Sequence, residues 1–357
     1  MRRPLPVTND KLKPLVSVLV FNYNYGKYLR QCLESVFNQT YSNIEICFSD
    51  NASTDDSWDI ALEFSRKYPG IMNISCNRMN FGVSANWLNC DQNNRGKYYI
   101  SLCSDDMLLP EYVEKCVKIL EAYHNVAFVM VHRKVMDGNG NLIDEPPFYN
   151  SSGIIPGVEQ AAVYMMAAVN PSVTQIMYRK LGTYGQTPPG DKMGAQWYST
   201  RMLDFNICCH FPIAYIKEPL MIHRLHSLND SFRAADHLME VIGPYVLQYQ
   251  FAEKANYHGL KKVADRLPAS IEKLSRLCLR YAIRGLEEIN ERKAKKYFYL
   301  AGALMPEIES DEVYISLKKY WSSGAAEKAA IINEFKSTDN LVTRSVSYDL
   351  PPGTVAI

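Results

Sequence analysis

The chain has 357 residues, 47% of them hydrophobic, and a formal net charge of +1. That apolar share builds an ordinary globular core, and the balanced charge sets up no field that would draw nucleic acid or an acidic membrane. No apolar run is long enough to span a bilayer, and the opening MRRPLPVTNDKLKP has arginines with no apolar stretch behind them, so it does not read as a signal peptide.

Residues 1–14 read as an irregular lead-in. Leu15 to Phe21 (LVSVLVF) is β-branched and apolar, the composition of a central parallel strand. It runs into the polar, aromatic loop Asn22-Tyr23-Asn24-Tyr25-Gly26. Lys27 to Phe37 then places Leu29, Leu33, Val36 and Phe37 on one helical face. Ile44 to Phe48 is a second strand. The segment Ser49 to Asp56 behind it is rich in capping residues and leads into a helix through Ile60, Ala61, Phe64 and Tyr68. Ile71 to Cys76 is a third strand, Asn77 to Gly82 a loop, and Ala85 to Asn89 a short helix. Tyr98 to Leu102 is a fourth strand, Glu111 to Ala122 a helix with Val113, Cys116, Val117 and Leu120 inward, and Val126 to Val131 a fifth strand. Strands alternating with helices of this length imply βαβ units and an α/β fold with a parallel sheet.

Past residue 131 the pattern changes. Val135 to Ile143 carries Asp-Gly and Asn-Gly, a hairpin signal. Gly157 to Ala168 reads as helix, Ser172 to Tyr178 as strand, and Thr183 to Gly194 as loop. Gln196 to Phe205 reads as helix, and Ile213 to Ile216 and Leu220 to His223 as two short strands. Asp236 to Tyr320 is helix-forming, and the last thirty or so residues hold few periodic signals. The nine cysteines (32, 47, 76, 90, 103, 116, 208, 209 and 278) are odd in number and form no Cys-X-X-Cys pair. That argues against a disulfide framework or a zinc site and suits a reducing compartment, the cytoplasm.

In a parallel sheet the loops at 21–25, 49–56, 77–82 and 103–106 all leave the C-terminal strand ends and converge on one edge. Tyr23, Asp50, Asn80, Asp105 and Asp106 then surround one crevice. The ring of Tyr23 can stack on a base, and Asp50 can accept from a base N–H. Two adjacent carboxylates at the exit of a buried strand are costly unless a cation compensates them. Asp105-Asp106 therefore reads as a seat for Mg²⁺ or Mn²⁺, which in turn holds a phosphorylated ligand. The plainer alternative is that the pair caps the helix opening near Pro110. Neither Gly-X-Gly-X-X-Gly nor Gly-X-X-X-X-Gly-Lys-Ser/Thr is present, so phosphate charge falls to a metal and to side chains.

These motifs together resemble the family 2 glycosyltransferases. VSVLVFNYNYGKYLRQCLESVFNQTYSNIEICFSDNASTDDS follows the family's V-S-V-I-I-P-x-Y-N, L-x-x-x-L-x-S-V-L-x-Q-T-Y and E-I-I-V-V-D-D-G-S-T-D. Asn80 to Ser84 matches N-x-G-x-S, LCSDDMLLP matches L-D-x-D-D-x-L-x-P, and Leu220 to Ser231 matches L-x-x-Y-R-x-H-x-x-x-x-S, so the likeness covers residues 15–231. It implies a GT-A fold, a mostly parallel sheet flanked by helices. Residues 15–131 become the nucleotide-sugar half and 132–235 the acceptor half, with a helical region at 236–325 and a tail at 326–357. It implies an inverting transfer from a nucleotide-diphospho-sugar, a UDP-sugar by preference, to a saccharide or lipid-linked saccharide of a surface polysaccharide. Phe21, Asn22, Tyr23, Asp50, Asn80, Ser104, Asp105 and Arg224 would meet the donor, and Asp105, Asp106 and His226 the Mn²⁺ or Mg²⁺ ion.

The chain departs from the pattern at Phe21 (for Pro), Asn51-Ala52 (for Asp-Gly) and Cys103, which replaces the first Asp of the metal motif with a thiol poorly suited to hard cations. Ala195 stands where spacing from Arg201 would put an Asp. The base that takes the acceptor's proton is read as Asp191, with a loop or cap role as the alternative, and Asp204 is the fallback. Trp87, Trp197 and Tyr198 are core residues or sugar contacts. Arg292, Lys293, Lys295 and Lys296 read as a solvated helix face beside Glu287, Glu288 and Glu291, with contact at the inner face of a membrane as the alternative. A catalytically degenerate nucleotide-sugar-binding module is the competing function.

Overall fold

The computed structural model describes residues 13–166, 171–181, 195–226, 238–337 and 347–357, with 195–199 and 336–337 as backbone alone. Asp191 and Ser231 lie outside the described residues, as do the side chains of Trp197 and Tyr198.

The first half alternates as its hydrophobic pattern requires. Strand β1 (Val16–Asn22) leads to helix α1 (Gly26–Phe37), β2 (Ile44–Asp50) to α2 (Ser57–Lys67), β3 (Met72–Cys76) to α3 (Val83–Gln92), and β4 (Tyr98–Cys103) to the short β5 (Met107–Leu108) and α4 (Tyr112–Ala122). The second half holds β6 (Phe128–Met136), β7 (Leu142–Ile143), β8 (Gly153–Ile155), α5 (Gly157–Met166), β9 (Ile176–Arg179), α6 (Ala195–Cys208) and β10 (Ile213–Arg224). The longer helices that follow are α7 (Met239–Tyr257), α9 (Leu267–Glu287), α10 (Glu291–Leu304), α11 (Glu312–Ser322) and α12 (Ala325–Ser337), with the single turn α8 (Lys261–Ala264) and the terminal strand β11 (Val355–Ala356).

The strands form one sheet in the order β11-β8-β10-β6-β9-β4-β1-β2-β3. From β3 to β4 all pairs are parallel, and β9 runs antiparallel to both β4 and β6. Register brings Asn22 beside Asp50 and Phe21 beside Cys103, so the loops after these strands open at the same level. Two apolar layers sandwich the sheet. One is built on Val16, Val18, Val20, Leu29, Leu33 and Val113, the other on Leu19, Phe128, Tyr178, Phe205 and Phe251. A third cluster joins the C-terminal helices around Leu274, Cys278, Tyr297, Phe298 and Leu317. Among the described residues no helix is long and apolar enough to cross a membrane, and all nine cysteines are free thiols.

Several elements differ from the sequence reading for local reasons. The two short strands at 213–223 are one strand, β10, with register breaks around Pro219, which lacks the N–H for regular pairing. The strand expected from Ser172 begins instead as a 3-10 turn at Val173–Gln175, closed by a capping box in which Ser172 and Gln175 satisfy each other's backbone. The tail is ordered at its end. Val355 and Ala356 pair with β8, and Tyr348 bonds to Phe148 and Asn150. The helix after Pro110 starts at Tyr112 without a side-chain cap, and the oxygens of Asp105 and Asp106 point elsewhere, so the capping alternative fails.

Candidate active site

The crevice at the exit of β1, β2 and β4 is built first by amides. Asn22 donates to Asp50 Oδ1 (2.9 Å), and Ser53 gives Asp50 both its backbone N–H (2.7 Å) and its hydroxyl (2.7 Å). Asp50 is thus a buried organiser of its own loop, and its carboxylate does not face outward toward a base as the sequence reading supposed. Asn51 donates to Asn80 (2.7 Å) and accepts from Asn77 (2.9 Å) and from the Phe81 amide (3.1 Å). Asn86 of α3 donates to the carbonyls of Asn22 and Ser49 (3.1 Å each). Asn51, where the family pattern has an acid, therefore ties the 77–82 loop to β2. Tyr23 is 42% exposed at the mouth. Ser104 donates to the Phe21 carbonyl (3.0 Å), which holds the 103–106 turn against β1.

Ala52 takes the left-handed conformation (φ 61°) at the position where the pattern has Gly. A Cβ is strained there. Ala52→Gly is expected to stabilise the protein by up to about 1 kcal/mol, offset in part by the freer unfolded chain, as read by the urea midpoint. A loss of stability would show the loop geometry misassigned.

The two carboxylates have separate environments. Asp106 is fully buried. Its Oδ2 accepts from the hydroxyls of Thr174 (2.7 Å) and Ser172 (3.3 Å), and its Oδ1 accepts from the Arg224 amide (3.2 Å) and lies 3.0 Å from His223 Nδ1. Burial works against its charge, but His223, Thr174 and the Arg224 amide outweigh it and hold the acid below the usual range. Asp105 Oδ2 lies 3.1 Å from His226 Nε2. There burial wins over His226, and the repulsion of Asp106 adds to it, so Asp105 is raised. Burial and both acids push the Cys103 thiol well up, which keeps it neutral.

Helix α1 supports the third wall. Tyr28 stacks on His226 (ring centroids 4.5 Å apart), and Tyr25 meets it edge-on. Arg224 lies over the Tyr28 ring (4.9 Å) and donates to Gln31 Oε1 (2.6 Å) and to the Asp105 carbonyl (3.1 Å). The arginine expected against phosphate is thus a brace between β10, α1 and the acidic turn. Asp204, the fallback base, is sealed in the opposite layer. It accepts from Tyr178 (2.6 Å) and pairs with Arg201 (3.2 Å), and burial pushes its carboxyl to about 6. Where it stands it meets no acceptor.

Two carboxylates and one thiol form a cluster that could hold a cation, the carboxylates being the hard donors and Cys103 the soft one. Ligand atoms of Cys103, Asp105 and Asp106 lie within 4.8 Å of one another. In an octahedron with bonds of about 2.1 Å, adjacent ligands sit about 3 Å apart, which is the Asp105–His226 separation observed here. Sequence reasoning missed Tyr28, Gln31, Ser172, Thr174 and His223. Only His223 left a signal, since the family pattern has Tyr at its position. The others come from elements whose apolar faces alone were legible.

The model of the family described as glycosyl transferase family 2 matches residues 17–179. The chondroitin synthase of Escherichia coli is 36% identical over 133 residues, covering 37% of this chain and 19% of that protein. An uncharacterised glycosyltransferase of Nostoc sp. is 26% identical over 230 residues, covering 62% of this chain and 67% of that protein. The chain thus spans about a fifth of the length of the first relative. Among solved structures, S. aureus TarS matches with a TM-score of 0.50 at 15% identity, covering 75% of this chain and 43% of that one, a likeness of fold.

Proposed function

Starting from a chain that belongs to the family 2 glycosyltransferases through residues 17–179, we propose that it is a metal-dependent, inverting enzyme that moves a sugar from a nucleotide-diphospho-sugar, a UDP-sugar by preference, to a saccharide hydroxyl. The observation that carries this is the approach of the Asp105 carboxylate and the His226 imidazole to 3.1 Å at the exit of β4, beside a crevice formed by four strand-end loops. Asp105 and His226 would hold Mn²⁺ or Mg²⁺, with Asp106 and Cys103 beside them. Such an ion would supply positive charge against the leaving diphosphate.

The chain's own groups do the rest. Asp106 fixes the end of β10 and orients His223. Tyr28 and Tyr25 hold the His226 ring in place, and Arg224 packs over Tyr28. Tyr23 offers a half-exposed face to the donor base, while Phe21, Asn22, Asp50, Asn80 and Ser104 shape the cradle beneath it. Asp191 takes the acceptor's proton in this reading. The acceptor is a saccharide or lipid-linked saccharide in surface polysaccharide synthesis, in keeping with a relative named for making chondroitin. Free thiols throughout support a cytoplasmic site of action.

The test is incubation of the protein with UDP-sugars, other nucleotide sugars and Mn²⁺, reading nucleotide release with and without chelator. Release from a UDP-sugar that stops on chelation is the expected result. Nucleotide binding with no turnover for any donor or acceptor would favour the degenerate binding module, for which the neutral Cys103 is the motivating feature.

A further inference from the structure

The turn between α9 (Leu267–Glu287) and α10 (Glu291–Leu304) carries Ile289 in the left-handed conformation (φ 57°). Helices usually place Gly at this point, and a β-branched side chain is strained there. The side chain is 93% exposed, so no packing offsets the strain. Beyond this corner, Arg292, Lys295, Lys296 and Tyr299 are exposed on one face of α10 at helical spacing, while Ala294, Tyr297, Phe298 and Ala301 fill the buried face.

Of the three acids near this stretch, Glu288 and Glu291 form their ion pairs with cations other than Arg292, Lys295 and Lys296. Glu288 pairs with Arg284 and Lys293, and Glu291 with Lys328 while it also accepts from Tyr320. Among the described residues Arg292, Lys295 and Lys296 make no ion pair within 4.0 Å. Arg292 also sits in the first turn of α10, where the helix dipole disfavours a cation. Among the described residues, then, Ile289 is left almost wholly exposed and the three cations carry no ion pair.

We propose that Ile289 and the outer face of α10, through Arg292, Lys295, Lys296 and Tyr299, dock on a bilayer surface bearing anionic lipid headgroups. The cations meet the headgroups, Ile289 enters the acyl boundary, and the Tyr299 ring suits the interface between them. A nucleic acid or an acidic glycan would satisfy the cations but would give the exposed aliphatic corner nothing apolar to meet.

The test is co-sedimentation of the full chain with vesicles of phosphatidylcholine alone or mixed with phosphatidylglycerol. Binding to the mixed vesicles only is expected, weakening as salt rises. Arg292→Gln, Lys295→Gln and Lys296→Gln together should weaken it about a hundredfold, at roughly fivefold for each cation. Ile289→Gly should weaken binding several-fold while raising the thermal midpoint, a split that a merely structural residue would not give. Three results overturn the proposal. The first is equal or absent binding to both vesicles. The second is wild-type binding by the triple variant. The third is unchanged binding by Ile289→Gly together with displacement by heparin, which would mark a site for soluble polyanions.

Discussion

Asp105→Ala is expected to lower kcat/KM for sugar transfer by about three orders of magnitude, the scale of losing a metal's charge stabilisation, while the protein stays folded. The two effects separate because of where the carboxylate stands. Burial and the neighbouring Asp106 raise Asp105 despite His226, so its ionised form is held at a cost that its removal relieves. A raised folded value also fixes the sign of its pH linkage. Its cost is present at neutral pH and fades as pH falls through that value. The checks are turnover with a UDP-sugar and Mn²⁺, Mn²⁺ binding by calorimetry, and the urea midpoint at pH 7. Turnover within tenfold of the unmodified protein would remove Asp105 from the chemistry. Unfolding of the variant would make it a structural residue instead.

Asp106→Ala should act in the opposite way, by destabilising the fold by about 3–5 kcal/mol at pH 7, the scale of removing one partner from a buried charged network. Thr174, Ser172, His223 and the Arg224 amide would lose their common acceptor, and all four lie at the junction of β10 with the turn before β9. The lowered folded value means that the stabilisation is present above the unfolded value of 3.8 and is lost as pH falls through the folded one. The gap between the two proteins should therefore hold from pH 7 down to about 4 and narrow below it. A gap under about 1 kcal/mol at pH 7 would mean that these bonds add little beyond an average hydrogen bond.

This division of labour between adjacent acids was not legible in the chain. The pair itself was, because the motifs around it favoured a site over a helix cap for Ser104-Asp105-Asp106. The crevice was legible as well, since parallel strands send their following loops to one edge. Strands β1 to β4 and β6, with their helices, appeared from period and capping residues with ends displaced by a few positions, while the two-residue β5 at Met107–Leu108 was missed. The second half was less readable. A strand broken at Pro219 looks like two, and a capping box at Ser172 looks like more strand. The last segment pairs with β8, more than 190 residues back, and local pattern carries no trace of so distant a partner.

His226 and Arg224 show the same limit from within a recognised motif. Both were singled out for the ligand. Arg224 proves to be held by Gln31 and the Tyr28 ring, contacts that depend on α1 packing across the end of β10. Asp50 and Asn80 likewise stood out as polar residues at strand exits, and the fold turns their side chains onto neighbouring loops.

Taken alone, the residue order determined the α/β alternation, the likeness to family 2 glycosyltransferases over residues 17–179 and the acidic turn, because each is written in contiguous spacing: apolar period, cap and motif. Tertiary structure decided which acid faces His226 and which is buried as a brace. It also showed that Asp204 is sealed in the core and that Glu288 and Glu291 form their ion pairs with cations other than Arg292, Lys295 and Lys296. Those outcomes depend on burial and on partners brought together from distant segments, and a side chain's charge state follows its surroundings and not its neighbours in the chain.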